Sequence, residues 1–372
     1  VTGSIAAYKA ADLASKLTQE GALVEVILTA AATEFVSPLT FQSVTGQPAY
    51  TDADLWGAQA HVLHIGLARR ADLLVIAPAS AQTLARLALG LADNLLSLTA
   101  LAATCPLLIA PAMDAGMFSH RATQANLETL VERGAVIVGP EEGHLASGMV
   151  ARGRMSEPPE ILGRARYLLS RGGPLAGRRV LITAGGTQEP IDPVRVLTNR
   201  SSGKQGLAVA RAALDAGAEV TLIATSGVAP APVGAEHLVV GTAAEMADAV
   251  LHAVPAADVL VMAAAVADFR PAQEASQKIK RAAGPPVLAL EPTRDILAAV
   301  GRQRQATGRP AVVVGFAAET QNLLDNARHK LESKKLDLLV ANDVSAADSG
   351  FGVDTNRVTI LDARGGAVSL PL

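Results

Sequence analysis

Short apolar runs alternate with longer amphipathic segments along the whole chain. In the first half the runs are residues 23–28, 73–77, 107–110 and 135–138; in the second they are 180–183, 220–224, 259–263, 311–314 and 338–341. A strand that is apolar at nearly every position has both faces covered, and the segments between these runs are long enough for helices. The pattern predicts an α/β architecture of parallel sheets with helices on both sides. Both halves open alike. Gly3-Ser4 leads into a helix that ends at Glu20-Gly21-Ala22, and Gly185-Gly186-Thr187 leaves a strand before a helix from about Ser202 to Ala216-Gly217-Ala218. Glycine just past the last helical residue takes the left-handed conformation that stops a helix. The two openings read as two βαβ starts on a shared architecture. The chain closes differently: residues 357–361, a turn at Arg364-Gly365-Gly366 and residues 367–370 predict a β-hairpin, an edge or a dimer contact.

A chain of 372 residues is long for one core and comfortable for two, and the Gly/Pro stretch Arg171-Gly172-Gly173-Pro174 divides it. The expected domains are residues 1–170 and 174–372, each doubly wound and Rossmann-like. Composition narrows the partners. Half the residues are hydrophobic but only 3% are aromatic, and the net charge is −3, so no basic nucleic-acid surface is expected. The single cysteine, Cys105, excludes a disulfide framework and fits a reducing, cytoplasmic setting. Residues 95–113 carry no charge, which raises the question of a membrane span. Pro106 breaks that run and Ser97, Thr99 and Thr104 interrupt it, so a buried helix followed by a parallel strand is expected instead. The first residues lack the form of a signal peptide, and Val1 stands where a first strand would be ending, so that strand is expected to be missing or truncated.

Candidate chemistry collects at strand ends. Gly3-Ser4 lies between a strand end and a helix start, where backbone N–H groups hold phosphate. Val75-Ile76-Ala77-Pro78-Ala79-Ser80 runs into a helix carrying Thr83, and Ile109-Ala110-Pro111-Ala112-Met113-Asp114 ends a third strand. Three such ends suggest a flat ligand across the sheet. No G-x-G-x-x-G is present, which counts against a nicotinamide dinucleotide. His61 and His64 are spaced for a metal, but no carboxylate or cysteine nearby completes a set; His64 also suits a base near neutral pH.

Gly3-Ser4-Ile5-Ala6-Ala7-Tyr8-Lys9, His64-Ile65-x-Leu67-Ala68, Ala77-Pro78-Ala79-Ser80, Asp93-Asn94-Leu95 and Pro111-Ala112-Met113 together resemble the homo-oligomeric flavin-containing cysteine decarboxylases, the phosphopantothenoylcysteine decarboxylases above all. The resemblance covers residues 1 to about 165. It implies a flavodoxin-like flavoprotein fold, FMN at a subunit interface with Gly3, Ser4, Thr29, Ser80 and Thr83 as contacts, and His64 as the base. It further implies flavin oxidation of the thiol side, loss of carbon dioxide from the resulting thioaldehyde, and return of the electrons. Two positions depart from the family. Asp114 stands where asparagine is common, and Ser147, in Leu145-Ala146-Ser147-Gly148 before Gly153-Arg154-Met155, stands where the mobile flap commonly has cysteine. A serine hydroxyl is a far weaker acid than a thiol. Three outcomes follow: another donor protonates the product, a protonated Asp114 serves, its pKa raised beside the substrate carboxylate, or this half is slow.

The second half offers a different set. Gly185-Gly186-Thr187 forms a turn suited to phosphate or carboxylate. Ser201-Ser202-Gly203-Lys204 fails as a P-loop, because Gln205 replaces the needed hydroxyl residue and position 198 is not glycine. Asp268 ends another strand, Lys278-Ile279-Lys280-Arg281 is basic, and Lys330, Lys334 and Lys335 follow Gly315-Phe316-Ala317-Ala318-Glu319-Thr320. Lysines converging on strand ends make a plausible polyphosphate clamp, with Lys335 read as solvated. These blocks resemble the phosphopantothenate–cysteine ligases over about residues 174–372. The resemblance implies CTP and magnesium, an acyl-cytidylate attacked by the amine of cysteine, and nucleotide contacts from Asp268, Lys278, Arg294, Asp295, Ile296, Leu297, Phe316, Lys330 and Lys334. Asn199 matches the residue serving the acyl-cytidylate. The expected function is therefore bifunctional: ligation, then decarboxylation, in an assembly of trimeric flavin domains and dimeric ligase domains. The alternatives are a ligase with an inactive flavin scaffold and, less favoured, a nicotinamide oxidoreductase.

Overall fold

The computed structural model describes residues 1–56, 62–280, 286–319, 322–343 and 355–371. The chain divides into two compact units, Val1–Leu169 and Ser170–Leu372. Each is α/β.

In the first unit β1 (Val26–Ile27) pairs in parallel with β2 (Ala49–Tyr50), and β3 (Leu74–Ala79), β4 (Leu107–Pro111) and β5 (Val136–Ile137) form a parallel sheet in that order. Val1 and Thr2 link the two sheets. The Val1 carbonyl accepts from the Thr29 N–H at 3.1 Å, and the Thr2 hydroxyl donates to the Pro78 carbonyl at 2.8 Å. Alternation along β3 and β4 sends side chains to opposite faces. Ala77, Leu108 and Ala110 pack with Leu13, Ile161 and Ala165 on one side, while Ile76, Ala79 and Ile109 pack with Leu84, Ala88 and Leu127 on the other. Both faces are therefore covered, as nearly continuous apolar runs require. The charge-free run becomes the helix Leu95–Ala102, capped by Asn94, followed by β4. No helix among the described residues is long and apolar enough to cross a membrane. An antiparallel hairpin, β6 (Glu141–His144) with β7 (Val150–Arg154), leads into the helix Pro158–Ser170.

In the second unit β8 (Arg179–Ala184) is followed by a hairpin of β9 (Gln188–Asp192) and β10 (Arg195–Thr198), then by β11 (Glu219–Thr225), β12 (Glu236–Val240) and β13 (Val259–Met262). A second small ribbon joins β14 (Phe269–Pro271) to β15 (Leu290–Pro292), and the chain continues through β16 (Val312–Glu319), β17 (Leu338–Asp343), β18 (Val358–Asp362) and β19 (Ala367–Leu370). The main sheet has the order β12-β11-β8-β13-β16-β17-β18-β19, parallel through β17 and antiparallel beyond it. The predicted closing hairpin is thus the edge of a mixed sheet. One face buries Leu181, Ile223, Leu260 and Leu339 against Met246, Val250, Ile296, Val300 and Leu331 of three helices. Fully burying a side chain of this size contributes about 1.5–3 kcal/mol.

Both opening helices stop as expected. They run Ala7–Gln19 and Lys204–Asp215, and Gly21 and Gly217 each have φ +90. Topology then locates the site. From β8 the chain passes to β11 on one side and returns to β13 on the other, so the strand order reverses between β8 and β13. Ligands of open α/β sheets bind in the crevice outside the carboxyl ends at such a point.

Candidate active sites

In the first unit the predicted flavin contacts share one sheet end. Ser80 caps the helix Ala81–Leu89: its hydroxyl accepts from the Thr83 N–H at 3.3 Å and lies 3.0 Å from the Thr83 hydroxyl. Thr29 caps the short turn Ala30–Thr33, accepting from the Ala32 N–H at 3.3 Å, and the Ser4 hydroxyl accepts from the Ala6 N–H at 3.3 Å beside Gly3. Thr2, absent from the expected set, ties these pieces together. It is buried, and its hydroxyl also accepts from the Ser80 N–H at 2.9 Å. Nothing in the sequence distinguishes that threonine from an ordinary strand residue. His64 lies on the helix Leu63–Arg70, half-buried, and its Nδ1 is buried without a hydrogen-bond partner. His61 lies outside the described residues. Cys105 is half-buried and burial pushes its thiol up, which suits an inert structural role.

Asp114 and Ser147 meet. The Ser147 hydroxyl donates to Asp114 Oδ2 at 2.7 Å, and Asp114 Oδ1 accepts from the Gly116 N–H at 2.9 Å. The Ser147 bond, then the Gly116 N–H, hold the carboxyl below its ordinary value. Both donors favour the charged form, so the rise expected beside a bound substrate carboxylate would have to overcome them. Ser147 stands at the tip of the β6–β7 hairpin. The hairpin's base docks on the same strand end, because the Met113 N–H donates to the Gly153 carbonyl at 3.0 Å. Gly153 is required there, since a Cβ would come within 2.3 Å of the Met113 carbonyl oxygen. Beyond the hairpin, buried Lys9 donates to the Met155 carbonyl at 3.2 Å and pairs with Glu157 at 2.9 Å.

The second unit holds a cleft of about 1280 Å³ at the carboxyl ends of its central strands. Asn199, Asp268, Arg294, Asp295, Ile296, Leu297, Phe316, Lys330 and Lys334 all line it. These residues come from five separate stretches of chain, brought together by the strand reversal. Asp295 caps the helix Ile296–Thr307, accepting from the Ala298 N–H at 2.9 Å, and its other oxygen pairs with Lys334. Burial alone would raise the Asp295 carboxyl; the Lys334 and Ala298 donors outweigh it and hold the group low. Lys330 donates to the Phe316 carbonyl at 2.8 Å. Ser201, Ser202 and Lys204, at the start of the helix Lys204–Asp215, also line the cleft. Asn199 Nδ2 donates to the Ala265 and Val266 carbonyls at 3.2 and 3.3 Å.

Two expectations change here. Lys278 is not among the residues lining the cleft; it is exposed on a segment held to the β9–β10 hairpin. Buried Asp192 and its neighbour Arg195 do the holding. Asp192 accepts from the Val194, Arg195 and Ile279 N–H groups at 2.9, 2.9 and 3.1 Å, and Arg195 donates to the Ile279 carbonyl at 3.1 Å. A lysine's position in a motif does not say which way its loop faces. Gly185-Gly186-Thr187 is likewise no open anion cradle. The Gly185 carbonyl accepts from Ala265, and the Thr187 hydroxyl accepts from the Ala267 N–H at 2.9 Å, so the turn fastens residues 263–267. Arg281 and Thr320 lie outside the described residues, and Lys335 is exposed as expected.

Asn342, at the end of β17, was not anticipated. It lines the cleft and is only 6% exposed.

Burial alone would raise the Asp192 carboxyl, but the N–H donors of Val194, Ile279 and Arg195 hold it below its ordinary value. A depressed folded pKa stabilises above the unfolded value, about 3.9, and this contribution fades as pH falls through the folded value. Asp192→Asn is therefore expected to flatten the loss of stability below about pH 4, read as the denaturant midpoint from pH 6 down to 2.5. An unchanged slope would remove Asp192 from that role.

Comparison with known proteins adds to this geometry. Residues 1–166 match the family described as Flavoprotein, and residues 175–372 match the DNA/pantothenate metabolism flavoprotein C-terminal domain. The chain is 45% identical over 375 residues to the coenzyme A biosynthesis bifunctional protein CoaBC of Bacillus subtilis, covering 100% of this chain and 91% of that one. It is 48% identical over 378 residues to the protein of the same name from Mycobacterium tuberculosis, covering 98% of this chain and 90% of that one. Among solved structures, the C-terminal domain of a CoaBC protein aligns at 38% identity over 53% of this chain and 88% of that one, with a TM-score of 0.44.

Proposed function

The chain belongs to the coenzyme A biosynthesis bifunctional family, and from that premise we propose how its two sites divide the work. It is a bifunctional enzyme that ligates phosphopantothenate to cysteine and decarboxylates the phosphopantothenoylcysteine so formed. We assign residues 1–170 to the decarboxylase and 174–372 to the ligase.

The observation that carries the ligase assignment is the cleft at the strand reversal, which gathers the expected nucleotide residues other than Lys278. CTP is the activating nucleotide in this reading. Lys330 and Lys334 face its phosphates, Phe316 and Asn342 help seat it, and Asn199 serves the acyl-cytidylate. Attack by the cysteine amine on the acyl carbon forms the amide and expels CMP. Magnesium accompanies the triphosphate in this reading.

The first site fits FMN. The fit rests on the unpartnered, buried Nδ1 of His64 and on hydroxyl-bearing strand ends that finish at a helix N-terminus. Gly3, Ser4, Thr29, Ser80 and Thr83 would hold it. When bound it supplies a two-electron exchange with the thiol-bearing carbon. His64 is the proton acceptor, and Asp114 and Ser147 lie at the rim. Exposed Ile5, Tyr8, Leu39 and Leu101 support an oligomeric flavin unit, trimeric by family resemblance, with the ligase unit dimeric. A cytoplasmic setting suits the single cysteine.

A ligase whose first unit is only a flavin scaffold is the second reading, and Asp114 with Ser147 is what favours it. The test is to purify the protein, record flavin absorbance, supply 4'-phosphopantothenoylcysteine and measure carbon dioxide. Yellow protein that releases carbon dioxide is the expected result. Yellow protein that releases none establishes the scaffold reading.

A further inference from the structure

Between β13 and the helix Ile296–Thr307 the chain leaves the second unit's cleft and comes back to it. It goes out at Asp268, runs through β14, and returns along β15 to Thr293. The ribbon itself is a poor anchor. Phe269 and Leu290 are exposed, and Arg270 pairs with Glu291 in open water, where such a pair contributes little. Thr293 closes the neck instead. Its N–H donates to the Asp268 carbonyl at 2.9 Å, and its hydroxyl donates to the Ala267 carbonyl at 2.6 Å. Ala267 is buried, and its N–H is taken by the Thr187 hydroxyl at 2.9 Å. One residue is thus gripped at both its backbone groups by threonines from two distant stretches of chain.

We propose that Thr293 is a positioning residue for the ligase reaction: its hydroxyl locks the nucleotide turn, residues 294–297, to the segment that Asn199 holds, so that nucleotide and acyl group meet in register. On one side of Thr293 lies Asp295, which caps the helix Ile296–Thr307 and pairs with Lys334. On the other lie the Ala265 and Val266 carbonyls, which accept from Asn199 just before Ala267. Without the hydroxyl, the carbonyl of a buried residue loses its donor and must turn toward water, carrying Ala267 and Asp268 with it. Small displacements are costly where two groups must react in a fixed geometry. Asp268 then shifts against the nucleotide, and Asn199 loses the fixed carbonyls that orient it.

Thr293 also lines the cleft, but its chemistry suits coupling and not phosphate binding. A hydroxyl has one hydrogen to donate, and here it is spent on Ala267. What remains toward the cleft is an acceptor, which a phosphate oxygen does not seek. The consequence for catalysis rests on the reading of this cleft as the CTP site; the bond that couples its two parts is read from the chain.

The test uses the full-length protein and two readouts. Thr293→Val removes the hydroxyl and keeps the shape, Thr293→Ala removes it without a branched side chain should the valine variant fold poorly, and Thr293→Ser keeps it. The first readout is amide hydrogen exchange of the ligand-free chain in peptides spanning residues 263–269, with peptides over residues 180–184 reporting any general loss of folding. The second is kinetic: KM for CTP in pyrophosphate release with 4'-phosphopantothenate, then the rate of amide formation when cysteine is added to the acyl-cytidylate already formed. Thr293→Val is expected to raise exchange, raise KM for CTP and slow the amide step, each about two- to tenfold, while Thr293→Ser stays within about twofold of the parent in all three. Parent-like exchange in Thr293→Val and Thr293→Ala overturns the coupling. So does a change confined to KM for CTP, which would make Thr293 a nucleotide contact, and so does a serine variant that behaves like valine. A parent chain that consumes no CTP overturns the nucleotide reading of the cleft, while exchange still decides whether the hydroxyl holds the segment.

Discussion

Asn199→Asp is expected to lose amide formation by about 10²–10³-fold while pyrophosphate release from CTP continues. The side chain lines the cleft at the strand reversal, and its Nδ2 donates to the carbonyls of Ala265 and Val266. It thus faces the segment that carries Asp268, and the proposed ligase reaction puts the activated acyl group beside it. A carboxylate there cannot turn an N–H from those carbonyls to the oxyanion that develops when the amine attacks, and it adds a like charge beside it. It also turns two acceptors toward the acceptors of residues 265 and 266. Nucleotide activation draws instead on Lys330, Lys334 and Phe316 across the cleft and should persist. The measurement is paired: pyrophosphate release and amide product from one reaction. Equal loss of both would mean that Asn199 acts by holding the Ala265–Val266 segment and not on the acyl transfer. Amide formed at the parent rate would remove it from the site altogether.

Asn342→Ala is expected to weaken CTP binding about ten- to hundredfold and to leave the ligand-free protein as stable as before, within about 1 kcal/mol. The usual sign for a buried polar truncation is loss of stability, because a partner is orphaned. Here the side chain lines the cleft and is not among the buried ones with an unpaired polar atom, so its truncation is expected to strand little inside the protein. The two readouts, nucleotide affinity and denaturant midpoint, must therefore separate. A large drop in midpoint would show that Asn342 is structural.

The parallel strands were legible because their burial is two-sided. Residues 73–77, 180–183, 259–263 and 338–341 need only be apolar to announce themselves, and β3, β8, β13 and β17 lie over them. The hairpins β6–β7 and β9–β10, the ribbon β14–β15 and the edge strand β12 were not anticipated as strands, since exposed strands carry no such signature. The candidate sites follow the same division. Ser80 and Asp114 could be placed because strand ends are readable, whereas Asp268, expected to end a strand, lies beyond the end of β13 in the loop before β14. The direction of a side chain on a loop is not readable, so Lys278 was expected in a cleft it does not line, and Ser147 was not foreseen beneath Asp114's charge. Asn342 escaped notice because it directly follows the apolar run, where asparagine reads as the start of a turn.

The pairing of Lys334 with Asp295 bears on which anions the cleft admits. The lysine's charge is already answered, by a carboxylate that also caps a helix. An incoming anion must compete with that carboxylate for the ammonium group. A lone phosphate offers little more than the partner it displaces. A triphosphate long enough to reach Lys330 and the start of the Lys204–Asp215 helix, which line the same cleft, would gain several contacts for the one it disrupts. The ion pair thereby works as a threshold, giving way to a ligand that spans the cleft and remaining closed to the small anions that crowd any cell.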